Sequence, residues 1–139
     1  MPQLPVAVNV DFSSVTIRGN QFSGNPAWTF TPPELQVHNG QNNIKWTLTA
    51  VNLPTNAQAA FASSNAVQFK GTNNPPWTGT APATQPDGTV TAGDNFQNLA
   101  SSQKFYYNTN IVLSAPSVVS QSYTFDPDVE NESGGGGKP

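Results

Sequence analysis

The chain contains a single histidine, His38, and no cysteine, so few of its residues could act as a base, a nucleophile or a metal ligand. A Ser-His-Asp triad would have to use His38, and the hydrolase nucleophile motif Gly-x-Ser-x-Gly does not occur. Disulfides, thiolate metal sites and two-histidine metal sites are excluded within one chain of this composition. The sequence therefore predicts a protein that is not an enzyme and that holds no metal or cofactor.

Carboxylates are the remaining groups that could do chemistry, and half of them lie in residues 126–132. In an extended chain the carboxylates of Asp126, Asp128, Glu130 and Glu132 project to one side, with neighbours about 7 Å apart. The stretch lacks the spacing of a calcium loop, so we interpret it as a solvated end of the domain rather than a cation site. The others, Asp11, Glu34, Asp87 and Asp94, would form a catalytic pair only if the fold brought two together.

The most distinctive candidate for ligand binding is Trp77, in the connection between Gly71 and Gly88. This connection holds four prolines and three glycines, which predicts a loop without regular structure. An indole flanked by amides and hydroxyls can stack on a sugar ring, although the same side chain could instead anchor the loop to the domain. The residues that would contact a carbohydrate are Asn73, Asn74, Trp77 and Thr78.

Charge and hydropathy exclude two classes of partner. The net charge is -3 and the five basic residues are scattered, so neither nucleic acid nor an anionic membrane surface is an expected partner. The first residues lack the basic and apolar regions of a signal peptide, and no apolar run approaches the roughly 20 residues that span a bilayer. We therefore expect a cytoplasmic protein by default, with export without a cleaved signal as the open alternative.

The segments that must position these residues have mainly the sequence pattern of β-strands. Apolar side chains alternate in residues 6–12 and again in 104–114, which is the period of a strand with one buried face. Val118–Phe125 is expected to pair with the second of these strands as a hairpin. The composition of Arg18-Gly19-Asn20 predicts a turn. Residues 34–49 carry two alternating runs around Asn39-Gly40 and predict another hairpin.

Two segments are expected to interrupt the strands. Residues 56–61 are rich in alanine and could form one helical turn, and Ala92-Gly93-Asp94-Asn95 has the composition of a turn.

These elements predict an all-β fold: one antiparallel β-sandwich of about seven to nine strands, of immunoglobulin-like or cupredoxin-like type. The domain is expected to span residues 1–131, and residues 132–139 to form a flexible glycine-rich tail. The side chains expected to be buried are those of Val8, Val10, Val37, Ile44, Trp46, Leu48, Phe69, Ile111 and Leu113.

Residues 34–131, and above all the closing Asp126-Pro127-Asp128-Val129-Glu130-Asn131, resemble the DP-EP family of small uncharacterised bacterial proteins. The run from Leu35 and Val37 into Ile44 and Trp46 also looks like cupredoxin and immunoglobulin-like sandwiches. The resemblance implies a β-sandwich and no established activity. The copper role of cupredoxins does not carry over, because the required cysteine and second histidine are missing.

Two functions remain at this point. A structural or assembly subunit would contact other copies of itself, or another protein, through the edges of its sheets and its terminal arms. A carbohydrate-binding recognition module would instead use the loop around Trp77. We predict the first, and the low charge, which reduces repulsion between copies, is compatible with it.

Overall fold

This computed structural model describes residues 3–31, 33, 35–37, 40–70, 81–96, 103–126, 130–132 and 136–138. The fold is all-β, as predicted, and the described residues contain no helix. They form fourteen strands instead of the seven to nine expected. In chain order the strands are β1 Gln3–Asp11, β2 Thr16–Arg18, β3 Gln21–Ser23, β4 Ala27–Thr31, β5 Leu35–Val37, β6 Gly40–Val51, β7 Gln58–Phe61, β8 Val67–Lys70, β9 Ala83–Thr84, β10 Val90–Phe96, β11 Gln103–Ala115, β12 Val118–Phe125, β13 Glu130–Glu132 and β14 Gly136–Lys138.

The first sheet has the order β4-β1-β6-β10-β9 and is mixed. Strands β1 and β6 run parallel over their full pairing, from Gln3 opposite Asn43 to Asp11 opposite Val51, while the other neighbours are antiparallel. The prediction of a purely antiparallel sandwich is therefore wrong at this pair. Parallel neighbours need a long crossover, and residues 12–39, which include β2 to β5, supply it.

The second sheet is built around the thirteen-residue strand β11. Strand β12 lies on one side of β11, and the short strands β5, β8 and β7 follow one another along its other side. The predicted β11–β12 hairpin is confirmed, with the turn at Pro116-Ser117. Two-stranded ribbons are formed by β2 with β3, around the predicted turn at Gly19, and by β13 with β14. The division into a domain of residues 1–131 and a flexible tail stays a prediction.

The predicted hairpin over residues 34–49 is wrong. Strand β5 pairs with β11 in the second sheet, whereas β6 pairs with β1 and β10 in the first. The alternation in both runs is real, but it specifies which face is buried and not which strand lies alongside. The buried side of β6 lies beside the buried side of β1, with Val6 opposite Trp46. The chain therefore passes from the second sheet to the first between β5 and β6.

Two further expectations are corrected. Residues 58–61 form strand β7 instead of a helical turn, because Phe61 is buried and the backbone of Asn56 adopts φ 61° just before the strand. The turn expected at residues 92–95 is also wrong, because β10 continues to Phe96 and buries Ala92 opposite Ile44. In both segments burial against the neighbouring strand outweighs the local turn or helix preference.

The apolar inner faces of the sheets form one core. Of the residues predicted to be buried, Leu48 is partly buried against the core, the side chains of Val37 and Phe69 lie outside the described set, and the others are confirmed. Those confirmed are Val8, Val10, Ile44, Trp46, Ile111 and Leu113.

Aromatic rings join the two sheets at the centre of the core. Tyr107 of β11 makes edge-to-face contacts with Phe30 of β4 and Trp46 of β6, at ring-centroid distances of 6.1 and 5.7 Å. Trp28 stacks on Phe125 at 5.5 Å. These contacts cross from the first sheet to the second and give the protein its sandwich-like layering.

Candidate functional site

The residues predicted to bind carbohydrate, Asn73, Asn74, Trp77 and Thr78, all lie outside the described residues. Of the Gly71–Gly88 connection, the structure describes residues 81–88, which contain strand β9 and a turn that ends at Gly88 with φ 89°. The expectation of no regular structure is thus corrected at β9. The role of Trp77 stays a prediction.

Of the other candidates for a catalytic carboxylate pair, the structure describes the side chains of Asp11 and Asp87, which lie in different elements. His38 and Glu34 lie outside the described residues, and the side chain of Asp94 is not described. Asp11 ends β1, whereas Asp87 lies in the turn after β9. Among the described residues no group of three His, Cys, Asp or Glu side chains is placed to hold a metal ion.

A groove of about 370 Å³ lies beside strand β12 in the described part of the structure. One side consists of residues 121–125, in the second half of β12. The other consists of Phe22, residues 24–26 and Trp28, on the way from β3 to β4. Phe22, Trp28, Tyr123 and Phe125 give the groove aromatic surface, and the remaining lining residues are polar or small and uncharged.

The main-chain groups of β12 that face this groove follow from the pairing of β11. The N–H of Asn110 donates to the Ala66 carbonyl at 2.7 Å, and the Asn110 carbonyl accepts from the Ala62 N–H at 3.0 Å. Asn110 therefore directs its main chain away from β12. Thr124 lies opposite Asn110 in this antiparallel ladder, so its N–H and carbonyl must point away from β11. The main-chain groups of Ser122, two residues away, must also point away from β11.

The outer edge of β12 is covered at one end and free at the other. The N–H of Val119 donates to the Asn20 carbonyl at 2.8 Å, so the β2–β3 ribbon occupies the first part of the edge. Further along, the Ser122 carbonyl accepts from Gln121 Nε2 at 3.2 Å, and no main-chain partner within the described residues meets the N–H groups of Ser122 and Thr124. A short stretch of strand thus lacks a main-chain partner among the described residues and faces the groove, with residues 22–28 on its other side.

The second recess is a cleft of about 150 Å³ on the outer face of the first sheet. It is lined by residues 9–11, residues 27–29, Thr49 and Val51. Strand register explains the arrangement, since Asn9 lies between Thr29 and Thr49, and Asp11 lies between Ala27 and Val51. Because the side chains of Val8 and Val10 point into the core, those of Asn9 and Asp11 point to the outer face of the sheet.

Asp11 is held in place at the end of this cleft. Its Oδ1 accepts hydrogen bonds from the Asn52 side-chain amide at 3.0 Å and from the Ser13 N–H at 2.9 Å. The amide of Asn52, followed by the main chain and hydroxyl of Ser13, lowers the pKa of Asp11 from its usual value of about 3.8. The carboxylate is therefore charged at neutral pH and presents acceptor oxygens at the cleft.

This lowered pKa predicts how Asp11 contributes to stability as the pH changes. A carboxyl group whose pKa is lower in the folded state stabilises the fold above its unfolded pKa, and that contribution is lost as the pH falls through its folded value. We expect wild type to be more stable than Asp11→Asn at pH 7, and the difference to shrink on acidification below about pH 3.8. Urea unfolding midpoints of both proteins at several pH values test this. A difference that stays constant down to about pH 2 would contradict it.

Buried polar atoms do not mark a further site. Within the described residues Trp46 Nε1, Thr109 Oγ1 and the Tyr123 hydroxyl are buried without a hydrogen-bond partner. Burial also raises the pKa of Tyr123. Although Tyr123 lines the groove beside β12, its hydroxyl is shielded from solvent, so a ligand in the groove would not reach it without rearrangement.

Sequence reasoning identified neither recess. The alternation in β1, β4 and β6 contained the signal for the cleft, because it places Asn9, Asp11, Thr29, Thr49 and Val51 on outer faces. What the sequence does not contain is the order of the strands. Asp11 and Asn52 are 41 residues apart, and the groove joins residues 22–28 to residues 121–125.

Comparison of the chain with protein-family models, curated proteins and solved structures gives no match. No apolar helix of membrane-crossing length occurs in the part of the chain that the structure describes.

Proposed function

We propose that this protein is a non-enzymatic assembly subunit that associates with a second copy of itself through the free edge of β12. The observation that carries the proposal is the outward-facing main chain of Ser122 and Thr124, whose N–H groups have no partner among the described residues. Strand edges of this kind bind other strands through main-chain hydrogen bonds.

A two-fold arrangement satisfies these groups reciprocally. If two β12 strands run antiparallel about an axis at Tyr123, Ser122 of one copy lies opposite Thr124 of the partner subunit, and the reverse pair follows by symmetry. Each pair exchanges two main-chain hydrogen bonds, since both residues direct their N–H and carbonyl groups outward. The adjoining groove leaves room for side chains of the second copy.

The chemistry of the surface favours self-association over a charged partner. Gln121, Ser122, Thr124 and Asn25, which line the groove, are uncharged. The net charge of -3 on 139 residues opposes the approach of a second copy only weakly. Since a two-fold interface places the same surface on both sides, a neutral polar strand is compatible with itself.

The finer structural and family assignments belong with this proposal. The parallel β1–β6 pair supports a cupredoxin-like arrangement over the purely antiparallel sheets of a constant-type immunoglobulin domain. Membership of the DP-EP family stays a prediction based on residues 126–131. The absence of cysteine and the single histidine support a role without catalysis or copper.

Proline at position 124 tests the proposal. Thr124→Pro removes an outward N–H and leaves the hydrogen bonds between β12 and β11 in place, because the Thr124 main chain faces away from β11. We expect wild type to change from monomer to dimer between about 10 μM and 1 mM, and Thr124→Pro to remain monomeric, as measured by size-exclusion chromatography with light scattering.

Thr124→Val is the matched control, because it also loses the side-chain hydrogen bond to Asn110 Oδ1 but retains the main-chain N–H. It is expected to dimerise like wild type. A variant lacking residues 132–139 should also dimerise, and loss of the dimer only on that deletion would assign assembly to the tail. A wild type that is monomeric at every concentration would reject the proposal.

A further inference from the structure

The cleft on the outer face of the first sheet combines an apolar wall with a polar rim. Val51 is 46% exposed and, with Ala27, forms the apolar part. Asn9, Asp11 and Thr49 add an amide, a carboxylate and a hydroxyl. The cleft thus places the exposed aliphatic surface of Val51 directly beside hydrogen-bonding side chains.

A sugar ring has the complementary composition. One of its faces presents C–H groups that can lie against an aliphatic surface, and its edge presents hydroxyls that donate to a carboxylate and exchange hydrogen bonds with amides and hydroxyls. We propose that this cleft binds one neutral sugar ring, with its apolar face against Val51 and two adjacent hydroxyls at Asp11 and Asn9.

The cleft is prepared for such a ligand before binding. The hydrogen bonds from Ser13 and Asn52 both end on Oδ1 of Asp11, so the carboxylate is oriented while its accepting capacity is not exhausted. Asn52 donates from a backbone with φ 56°, a conformation that few residue types other than glycine adopt readily. A fixed acceptor loses little conformational freedom when a ligand arrives.

Other classes of ligand fit less well. Calcium takes six to eight oxygen ligands, and among the residues that the structure describes Asp11 is the only carboxylate that lines this cleft. An acidic sugar would be repelled by the Asp11 carboxylate. The volume of about 150 Å³ is below the range of sites for drug-sized molecules, so it is suited to a single ring rather than to an extended chain.

The proposal rests on different observations from those for self-association, although Trp28 lines both recesses. The cleft is built on β1, β4 and β6 of the first sheet, whereas dimerisation uses the edge of β12 in the second sheet. It also differs from the carbohydrate prediction centred on Trp77, which concerns another part of the chain.

Nuclear magnetic resonance titration of the full chain tests the proposal. Glucose, galactose, mannose and N-acetylglucosamine are the neutral probes, and glucuronate is the acidic one. We expect at least one neutral sugar to bind with a dissociation constant of roughly 1 to 10 mM, as is typical of a small ligand with few contacts. Amide shifts should be confined to residues 9–11, 27–29 and 49–52, and glucuronate should bind more weakly.

Asp11→Asn and Asn9→Ala should each weaken binding about tenfold or more, since the first removes a charged acceptor from the cleft and the second removes an amide that would bond a sugar hydroxyl. Asp87→Asn is the matched control, because Asp87 is also an exposed carboxylate held by a neighbouring turn residue, Thr89, but it does not line the cleft. Binding abolished by Trp77→Ala and retained in Asn9→Ala would overturn the proposal in favour of the loop. Absence of shifts with every neutral probe at about 100 mM would overturn it as well.

Discussion

Gly24→Ala is expected to destabilise the fold by about 3 kcal/mol or more, a large fraction of the roughly 5 to 15 kcal/mol by which folded domains are usually stable. Gly24 has φ 102°, which side-chain-bearing residues rarely adopt, and a Cβ at this position would overlap the main-chain carbonyl oxygen of Ser14. Because the obstacle is backbone, relief requires the β2–β3 ribbon to move away from the turn that follows β1. Urea unfolding monitored by tryptophan fluorescence measures the loss.

Gly19→Ala is the matched control for this prediction. Gly19 also has a positive φ, of 65°, but nothing lies within 4 Å of an added Cβ. Its substitution should therefore cost only the conformational penalty, about 1 kcal/mol. Equal losses at positions 19 and 24 would show that the contact with Ser14 is not important.

The contrast between these glycines illustrates what the sequence could predict. Gly19 lies in Arg18-Gly19-Asn20, whose composition alone indicates a turn, and the structure confirms one there. Gly24 follows the ribbon and approaches Ser14, ten residues earlier, through the packing of two separate segments. Local composition contains turn chemistry, but it does not contain the close approach of backbones that are distant in sequence.

The same limit explains the errors in strand pairing. Alternation correctly identified the buried faces of β1, β6 and β11, because a period of two is imposed by the strand itself. It could not distinguish a hairpin partner from a strand in the opposite sheet, and β5 and β6 were paired wrongly for that reason. A parallel neighbour such as β6 beside β1 is also invisible to turn signals, because no tight turn joins the two strands.

Local sequence patterns predict the candidate sites even less well than they predict strand pairing. Asn9, Asp11 and Thr49 are unremarkable polar residues until β1 and β6 lie side by side. Likewise, Ser122 and Thr124 resemble any exposed strand residues, and only the direction of the Asn110 main chain shows that their hydrogen-bonding groups face outward. Each site therefore depends on strand order, which tertiary packing decides.

Tyr107→Ala is the second large effect, with an expected loss of roughly 3 to 5 kcal/mol. Tyr107 is 1% exposed and contacts the rings of Phe30 and Trp46, which belong to two strands of the opposite sheet. Removing the ring leaves a cavity between the sheets and eliminates both aromatic contacts at once. Chemical unfolding of the variant gives the loss, and circular dichroism tests whether the strands remain.

Tyr107→Leu separates burial from aromatic geometry. Leucine keeps much of the apolar volume and loses both edge-to-face contacts, which are worth about 0.5 to 1.5 kcal/mol each. We therefore expect its stability to lie between those of wild type and Tyr107→Ala. Val119→Ala is the surface control, because Val119 is 58% exposed, and its substitution should change stability by less than about 0.5 kcal/mol. If Tyr107→Ala were as mild as this control, the sheets would have to be held together elsewhere than at the Tyr107, Phe30 and Trp46 rings.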